Sequence, residues 1–538
     1  MYLSRISAIF VALGLLTTTV SQAESFKILG SRALGMAGAY VAIAEDSNAL
    51  YWNPAAIAEQ ENFDTEITAG VRAEATGGLL KDVNTISDFS SKYKAIQSAQ
   101  SNGTSINADQ FASIFTTLKI LNNLNQPGKG VLVDANAGFG TRIMRLGFSF
   151  NNFVSIGANP FIDTKNIGLG TVTNSNAAKG FSSAFGASGN LTGISFAGVD
   201  IGAPSDADLL SARNSVVDAI NTVGFSALKT LIGQQALDAG GITTVDQLAN
   251  AVINEAKRQN LSNTQIISAS NDLKTQAPEV KETIQSAAAS NNGYSNNTSN
   301  VTFRGISLFE AGVSYGHRFF IDDLYVGGSL KVLHGTVGYF QKRFLGDDVA
   351  GKDIFNDVKN NSKSTVQPGV DLGVLYDKRE SYRLKFGLLA RNINYPSFDQ
   401  PDGATGESKY TVNPQIRAGV ALYPFKRKFW VISADIDATE NNTPLPGFES
   451  RYWALGTEIN LVNSNWFNLA LRGGITSNLS EKNSKLAYAG GVGLKILHFF
   501  VDVSGSISSE KESIKDGSGT VQDVPQNAQV GISLGLNF

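Results

Sequence analysis

Asp435 and Asp437 come closest in this chain to a catalytic or metal-binding pair. In an extended segment they share a face, because strand side chains repeat every two residues, and paired carboxylates could move a proton or hold calcium. The same face could instead meet Arg417, Arg391 and Lys385 in a buried charged network. The only histidines are His317, His334 and His498, at spacings that fit neither a metal site nor a catalytic triad. With no cysteine, disulfides, thiolate metal sites and cysteine nucleophiles are all excluded. Gly128-Lys129 is followed by Gly130 and Gly351-Lys352 by Asp353, so neither forms a phosphate-binding loop. These residues point away from an enzyme and call for no cofactor or metal.

The elements that must carry such residues are strands. From Ile306 onward apolar and polar residues alternate in eleven segments, near 306–318, 323–339, 366–377, 382–392, 414–424, 429–438, 451–461, 466–476, 486–495, 497–508 and 528–538. A further strand is expected near 62–72, and two or three within 131–162. Asn151-Asn152, Lys378-Arg379-Glu380 and Asn463-Ser464-Asn465 read as hairpin turns. The total is fourteen or fifteen, and single-chain bacterial barrels favour even numbers. The expectation is an all-β, antiparallel transmembrane barrel of about fourteen strands, within a range of twelve to sixteen.

In such a barrel the apolar face meets lipid and the charges turn inward. Tyr382, Leu384, Phe386, Leu388 and Ala390 would face lipid, with Arg383, Lys385 and Arg391 in the lumen. Arg417, Asp435, Asp437 and Arg472 fall on the inward face of their own segments, and Glu310, Lys331, Asp371 and Glu458 are further interior charges. A soluble barrel would put the same charges in water and the apolar stripe in a core. Alternation alone fits both.

Export favours the membrane. Arg5 is the only charge in the first 23 residues, Ile6 to Val20 are mostly apolar, and Ser21-Gln22-Ala23 offers small residues for cleavage after Ala23. The apolar run falls short of the roughly 20 residues a spanning helix needs. Net charge is −3, and losing Arg5 makes it −4, which disfavours nucleic acid as a direct partner. The expected location is the outer membrane of a Gram-negative cell.

The remaining chain divides into a plug segment, 24–60, then first strands over 61–163 carrying a polar insert at 77–130. A Gly/Ser/Asn-rich and helical insert follows at 164–300, and the remaining strands occupy 301–538. Leu34, Val41, Ile43, Leu50 and Trp52 make a freely solvated 24–60 segment unfavourable, whereas its Gly and Ala content suits close packing inside a barrel. Arg32, Asp46, Asn53 and Pro54 are its candidate gating residues. Helices are expected near 109–124, 205–222, 225–238, 244–259 and 278–289, with Asp206 and Thr244 as caps and Gly240-Gly241 as a break. The face of the membrane that carries this unit depends on whether two or three strands precede it.

Val530, Ile532, Leu534, Leu536 and Phe538 form a terminal strand face that resembles the closing strand of outer-membrane barrels. Ser31-Arg-Ala-Leu-Gly-Met-Ala-Gly-Ala-Tyr-Val-Ala-Ile-Ala-Glu-Asp46, with Tyr51-Trp-Asn-Pro-Ala55, resembles the amino-terminal signature of the FadL-like fatty-acid transporter superfamily, to which PorV-like secretion barrels are related. That resemblance implies a plug inside a fourteen-stranded barrel, a hydrophobic ligand pocket and a lateral opening at a kinked strand. Gly387-Leu-Leu-Ala-Arg-Asn-Ile-Asn-Tyr-Pro-Ser-Phe398, Asn413-Pro-Gln-Ile-Arg-Ala-Gly-Val420, Ser433 to Asn441 and Leu471-Arg-Gly-Gly-Ile475 are similar to the TraF-like conjugal-transfer family. A thioredoxin-like protein shares that family name, and a chain without cysteine cannot be that protein. The implied function is passage or binding of small molecules, hydrophobic ones among them, through a plugged lumen. The alternative is a structural accessory of a conjugation or secretion envelope complex. Implied partners are the lipid bilayer, such small molecules or envelope proteins.

Overall fold

Fourteen antiparallel strands close on themselves, because a spanning sheet with a free edge would leave N–H and C=O groups unpaired in hydrocarbon. This computed structural model describes residues 24–59, 63–82, 108–166, 196–289, 297–343, 360–404, 408–425, 429–464, 466–482, 484–515 and 521–538. The expected export signal at 1–23 lies outside the described residues. Among the described residues no helix is long and apolar enough to cross a membrane.

In chain order the first strands are β1 (Phe63–Thr76), β2 (Gly130–Ile143), β3 (Leu146–Phe161), β4 (Asn300–Arg318), β5 (Leu324–Arg343), β6 (Ser362–Lys378) and β7 (Leu384–Arg391). After the short hairpin β8 (Ser397–Asp399) and β9 (Lys409–Thr411) come β10 (Gln415–Leu422) and β11 (Trp430–Asp437). A second small hairpin, β12 (Asn441–Asn442) and β13 (Glu449–Ser450), precedes β14 (Tyr452–Asn463), β15 (Phe467–Asn478), β16 (Ala487–Ile496) and β17 (Phe499–Ser508). A third, β18 (Lys511–Lys515) and β19 (Val521–Pro525), precedes β20 (Asn527–Asn537). The wall runs β1 to β7, then β10, β11, β14 to β17 and β20, which pairs with β1 through Ala69 opposite Ile532.

The expected fourteen strands are present. The region 131–162 holds two of them, joined at Met144-Arg145, where Met144 takes a left-handed φ of 58°. Asn151-Asn152 is no turn: both residues lie inside β3, with Asn151 buried opposite Glu310. A polar pair looks like a turn in sequence, yet a lumen accepts polar side chains in mid-strand.

Three strands therefore precede the large helical insert, which sits at the same end as the 77–129 connection and every other long loop. The opposite end carries tight turns tipped by Phe320, 88 % exposed, with Tyr382, Phe425 and Trp466 also exposed, in the manner of an interfacial aromatic belt. Between the two ends, outward-facing Val71, Leu330, Val492, Val503 and Val530 are exposed while their strand neighbours turn inward.

At the long-loop end, α3 (Ala108–Leu124), α4 (Asp208–Val223), α5 (Phe225–Ile232), α6 (Gln234–Ala239), α7 (Val245–Arg258) and α8 (Asn263–Ala289) share one apolar core, after α1 and α2 of the plug described below. Thr244 forms a capping box with Gln247, Asp206 accepts from the Asp208 amide at 3.1 Å, and Gly241 with φ 69° separates α6 from α7. The long α8 runs through Pro278, where the sequence reading started a helix. Burial of Ile266, Leu273, Ala277, Val280 and Ile284 along one face outweighs the amide lost at the proline. α3 comes from the smaller insert yet docks on α8, with Thr116 bonded to Gln276 and Lys119 paired with Glu279 at 2.9 Å. At the base of this cap Asp163 accepts from Asn166 and Thr298. Partial burial acts to raise its carboxyl pKa, but these bonds hold it below the ordinary value.

Replacing outward Val503 with Arg should cost about 2–4 kcal/mol if the site lies at the bilayer midplane, and less nearer an interface. Urea titration of protein folded into lipid vesicles measures it; an unchanged midpoint would place this face in water.

Candidate functional site

The lumen is filled by residues 24–59. Their regular elements are α1 (Ser31–Gly35), α2 (Ala49–Trp52) and a 3-10 turn over Pro54–Ala58. The segment starts beside Asp134 in the upper half of β2 and ends beside Lys385 at the short-turn end. Asn53 shapes its last bend: its side-chain oxygen accepts from the Ala55 amide at 3.2 Å, and its amide donates to the carbonyls of Val41 and Val374. Pro54 then occupies the first position of the turn, where a missing N–H costs nothing. The bend lies so close to the wall that a Cβ on Gly327 or Gly373 would collide with Pro54 or Asn53.

Charge pairing fixes the segment at four levels. At the long-loop end Lys27 donates to Asp134 at 2.6 Å and Ser155 at 3.0 Å, with Glu24 3.2 Å away. Burial would lower the Lys27 pKa, but Asp134 and Glu24 together hold it above the ordinary lysine range. In mid-lumen Arg32 grips both oxygens of Glu458 at 2.8 Å, and Glu458 also accepts from Arg472, which reaches Asp502 at 2.7 Å. On the neighbouring strand β11, Asp435 accepts the amides of Tyr40 and Val41 at 2.9 Å each, while Arg417 bonds Asp435, Asp437 and the Gly38 carbonyl. At the short-turn end Glu59 meets Arg379 at 2.9 Å and Lys385 at 2.5 Å. Burial pushes the Glu59 carboxyl up despite these cations.

The sequence-selected residues separate into distinct clusters. Asp435 and Asp437 pair with Arg417 alone, Arg391 pairs with Glu310 at 2.8 Å and lies over the Tyr51 ring, and Lys385 belongs to Glu59. Lys331 joins Asp371 at 2.8 Å. Asp46 accepts from Tyr40 at 2.9 Å and lies 3.4 Å from Arg32. Arg383 is not in the lumen: it sits exposed and left-handed in the turn before β7 and donates to the Pro424 carbonyl. Tyr382 shares that turn, because the chain coils into one helical turn there before β7 starts. His317 stacks on Tyr315, and His498 lies against Phe538.

Sequence reasoning missed Glu24, Lys27, Glu59, Asp64, Glu66, Arg72, Asp134 and Arg142. Asp64, which is salt-bridged to Arg142 at 2.5 Å, and Glu66, which accepts from Asn48 at 2.6 Å, occupy the inward parity of β1. Strict two-residue alternation over Phe63–Thr76 was the signal that could have found them.

Above the plug lies a cavity of about 510 Å³, open toward the long loops. Its floor is Phe26, Lys27, Ile28, Leu34 and Ala37, and its walls include Arg72, Asp134 and Tyr452. The lateral opening expected at a kinked strand has no counterpart among the ladders joining β1 to β6, which run without a register shift. The wall instead stops short beside upper β6, because β7 pairs only from Leu372 onward. There Asn394 bonds the Val370 amide and the Pro368 carbonyl, and Pro368 suits a strand edge because it has no N–H to leave unpaired.

Closed strands, apolar exterior and charged, plugged interior define a transmembrane β-barrel of the outer-membrane type. Residues 50–437 match the family described as "F plasmid transfer operon, TraF, protein", and the chain belongs to that family. No curated protein compared with the chain matches it. Among solved structures it is similar to the Pseudomonas putida toluene transporter TodX, with 10% identity over 95% of this chain and 98% of that one and a TM-score of 0.41. The Ralstonia pickettii toluene transporter TbuX matches with 10% identity over 96% and 98% and a TM-score of 0.38. A Pseudomonas aeruginosa FadL homologue matches with 8% identity over 96% and 98% and a TM-score of 0.36.

Truncating Asp435 to Ala should strand two buried amides and under-compensate Arg417, a loss of about 3–5 kcal/mol at this contact. Limited proteolysis should then cut within 30–59 while the barrel keeps its folded gel mobility; an equally resistant plug would show that the contact does not hold it.

Proposed function

We propose that this protein is a non-enzymatic outer-membrane barrel that takes small molecules into its long-loop chamber and passes them through the lumen, with residues 24–59 as the gate. The observation that carries this reading is the chamber itself: its volume suits a small ligand, and its floor is made by the segment that blocks the way onward. Arg32, Asp46, Asn53 and Pro54 act as gating residues in this scheme: Arg32, Asn53 and Pro54 meet the wall, and Asp46 braces Arg32 and Tyr40 within the segment. The export-signal pattern expected at 1–23 and the pattern of the last strand support placement in the outer membrane, with the long loops outside the cell. The FadL-like plug signature supports transport, with hydrophobic cargo included.

Planar-bilayer recording tests the gate. The full chain should conduct weakly, and a variant lacking 24–59 should conduct about tenfold more or higher, as expected when a plugged pore is emptied. A deletion variant that folds into the bilayer and stays closed overturns the reading.

A second reading, an accessory of a transfer or secretion complex, is favoured by the helical cap, whose helices share one apolar core at the long-loop end. If it is correct, removing 200–289 should abolish co-purification of an envelope partner and leave single-channel conductance unchanged. Conductance lost with the cap would argue against it.

A further inference from the structure

The plug meets two unlike halves of the wall. Toward β3, β6, β7, β10 and β11 a dry aromatic seam lies among the paired charges of Lys385, Arg391, Arg417 and Asp435: Trp52 packs against Phe26 at 5.1 Å and Tyr40 at 5.6 Å, and Tyr51 against Phe153 at 5.4 Å. Wall residues Leu375, Leu389 and Val431 complete that seam, all buried. Toward β15, β16, β17, β20 and β1 the inward positions are polar, Gly or Ala, apart from Phe500 at the short-turn end.

On this second side the contact between plug and wall is a chain of hydroxyls. The Ser31 Oγ lies 2.8 Å from the Ser504 Oγ, the Ser31 amide donates to Ser533 at 2.9 Å, and Ser533 donates to Thr68 at 2.9 Å. Above that chain, Ser506, Ser508 and Gln529 continue into the chamber wall. Below it lie Arg32, Asp46, Glu66 and Asp502. Leu34 lines the chamber floor beside these hydroxyls: it is 2 % exposed, and its Cδ2 lies 3.1 Å from where a Cβ on Gly531 would stand.

We infer that the lumen serves small, net-neutral, hydrogen-bonding solutes of monosaccharide or amino-acid size, and that their route is the hydroxyl-lined seam beneath Leu34. The inference rests on the gated-lumen reading and replaces its hydrophobic cargo with a polar one. A polar solute moving along this seam exchanges water for hydroxyl and amide partners, so its desolvation is offset. A hydrocarbon there would displace water from carboxylates and guanidinium groups and return nothing to them. On the dry side any passage requires opening a void among close-packed rings. The chamber lining holds five Lys or Arg and five Asp or Glu side chains, a balance that favours neither anion nor cation.

Two truncations of similar size separate the routes. Leu34→Ala removes the floor side chain on the polar side, and Ile57→Ala removes equivalent bulk on the dry side; each loosens the plug by a comparable cavity cost. In liposome swelling with arabinose and glycine as probes, Leu34→Ala should swell about threefold faster than both the unmodified protein and Ile57→Ala, as expected if pore-lining residues set passage. The plug deletion is run alongside. If the deletion opens the barrel but Leu34→Ala does not, or if Ile57→Ala is the variant that opens, the polar route is wrong and the gated lumen stands. If the deletion itself stays closed, the gated lumen fails first. Should Leu34→Ala not insert, Leu34→Val makes the same comparison with less bulk removed, and no gain there counts against the inference.

Discussion

Lipid on the outside leaves this chain one place for its charges. Each strand that presents Val, Leu or Phe to acyl chains must turn its alternate residues inward, and closure makes inward mean a narrow, crowded space. Carboxylates and guanidinium groups gathered there are stable only if they neutralise one another or meet amides. The plug is what makes this arithmetic work in much of the lumen. Arg32, Lys27 and Glu59 supply counter-charges to Glu458, Asp134, Arg379 and Lys385, and the Tyr40 and Val41 amides satisfy Asp435.

A plug held this way meets the wall through two kinds of contact. Its dry side resembles a small protein core, with Trp52 at the centre and fully buried. Its other side is held by hydroxyls and ion pairs, which exchange with water or solute at far lower net cost than close-packed rings separate.

The helical cap obeys the same economy at a different scale. Two inserts separated by two barrel strands, β2 and β3, contribute helices to one core, and each buries apolar faces against the other. The cap therefore depends on the barrel to bring its two parts together, and the connection at Asp163 and Thr298 joins its two ends at the rim.

Strand number, inward and outward faces for Arg417, Asp435, Asp437 and Arg472, and the plug's position in the chain were all legible in the sequence, because two-residue alternation is local and lipid enforces it. Arg383 shows the limit of that rule: parity continues on paper ahead of the start of β7, but the backbone there turns. Asn151-Asn152 shows another, since composition cannot tell a turn from a polar lumen position. Which charge meets which was invisible: Lys27 finds Asp134 and Arg32 finds Glu458 only because closure and the path of the plug bring distant segments within about 3 Å, the ordinary reach of a charge-assisted hydrogen bond. The sequence by itself determined that strands would form and which side chains within each would share a face, for alternation needs no knowledge of the partner strand. The two faces of the plug, the chamber above it and the joint helical cap were decided by tertiary structure alone, since each is a relation between segments that share no local pattern.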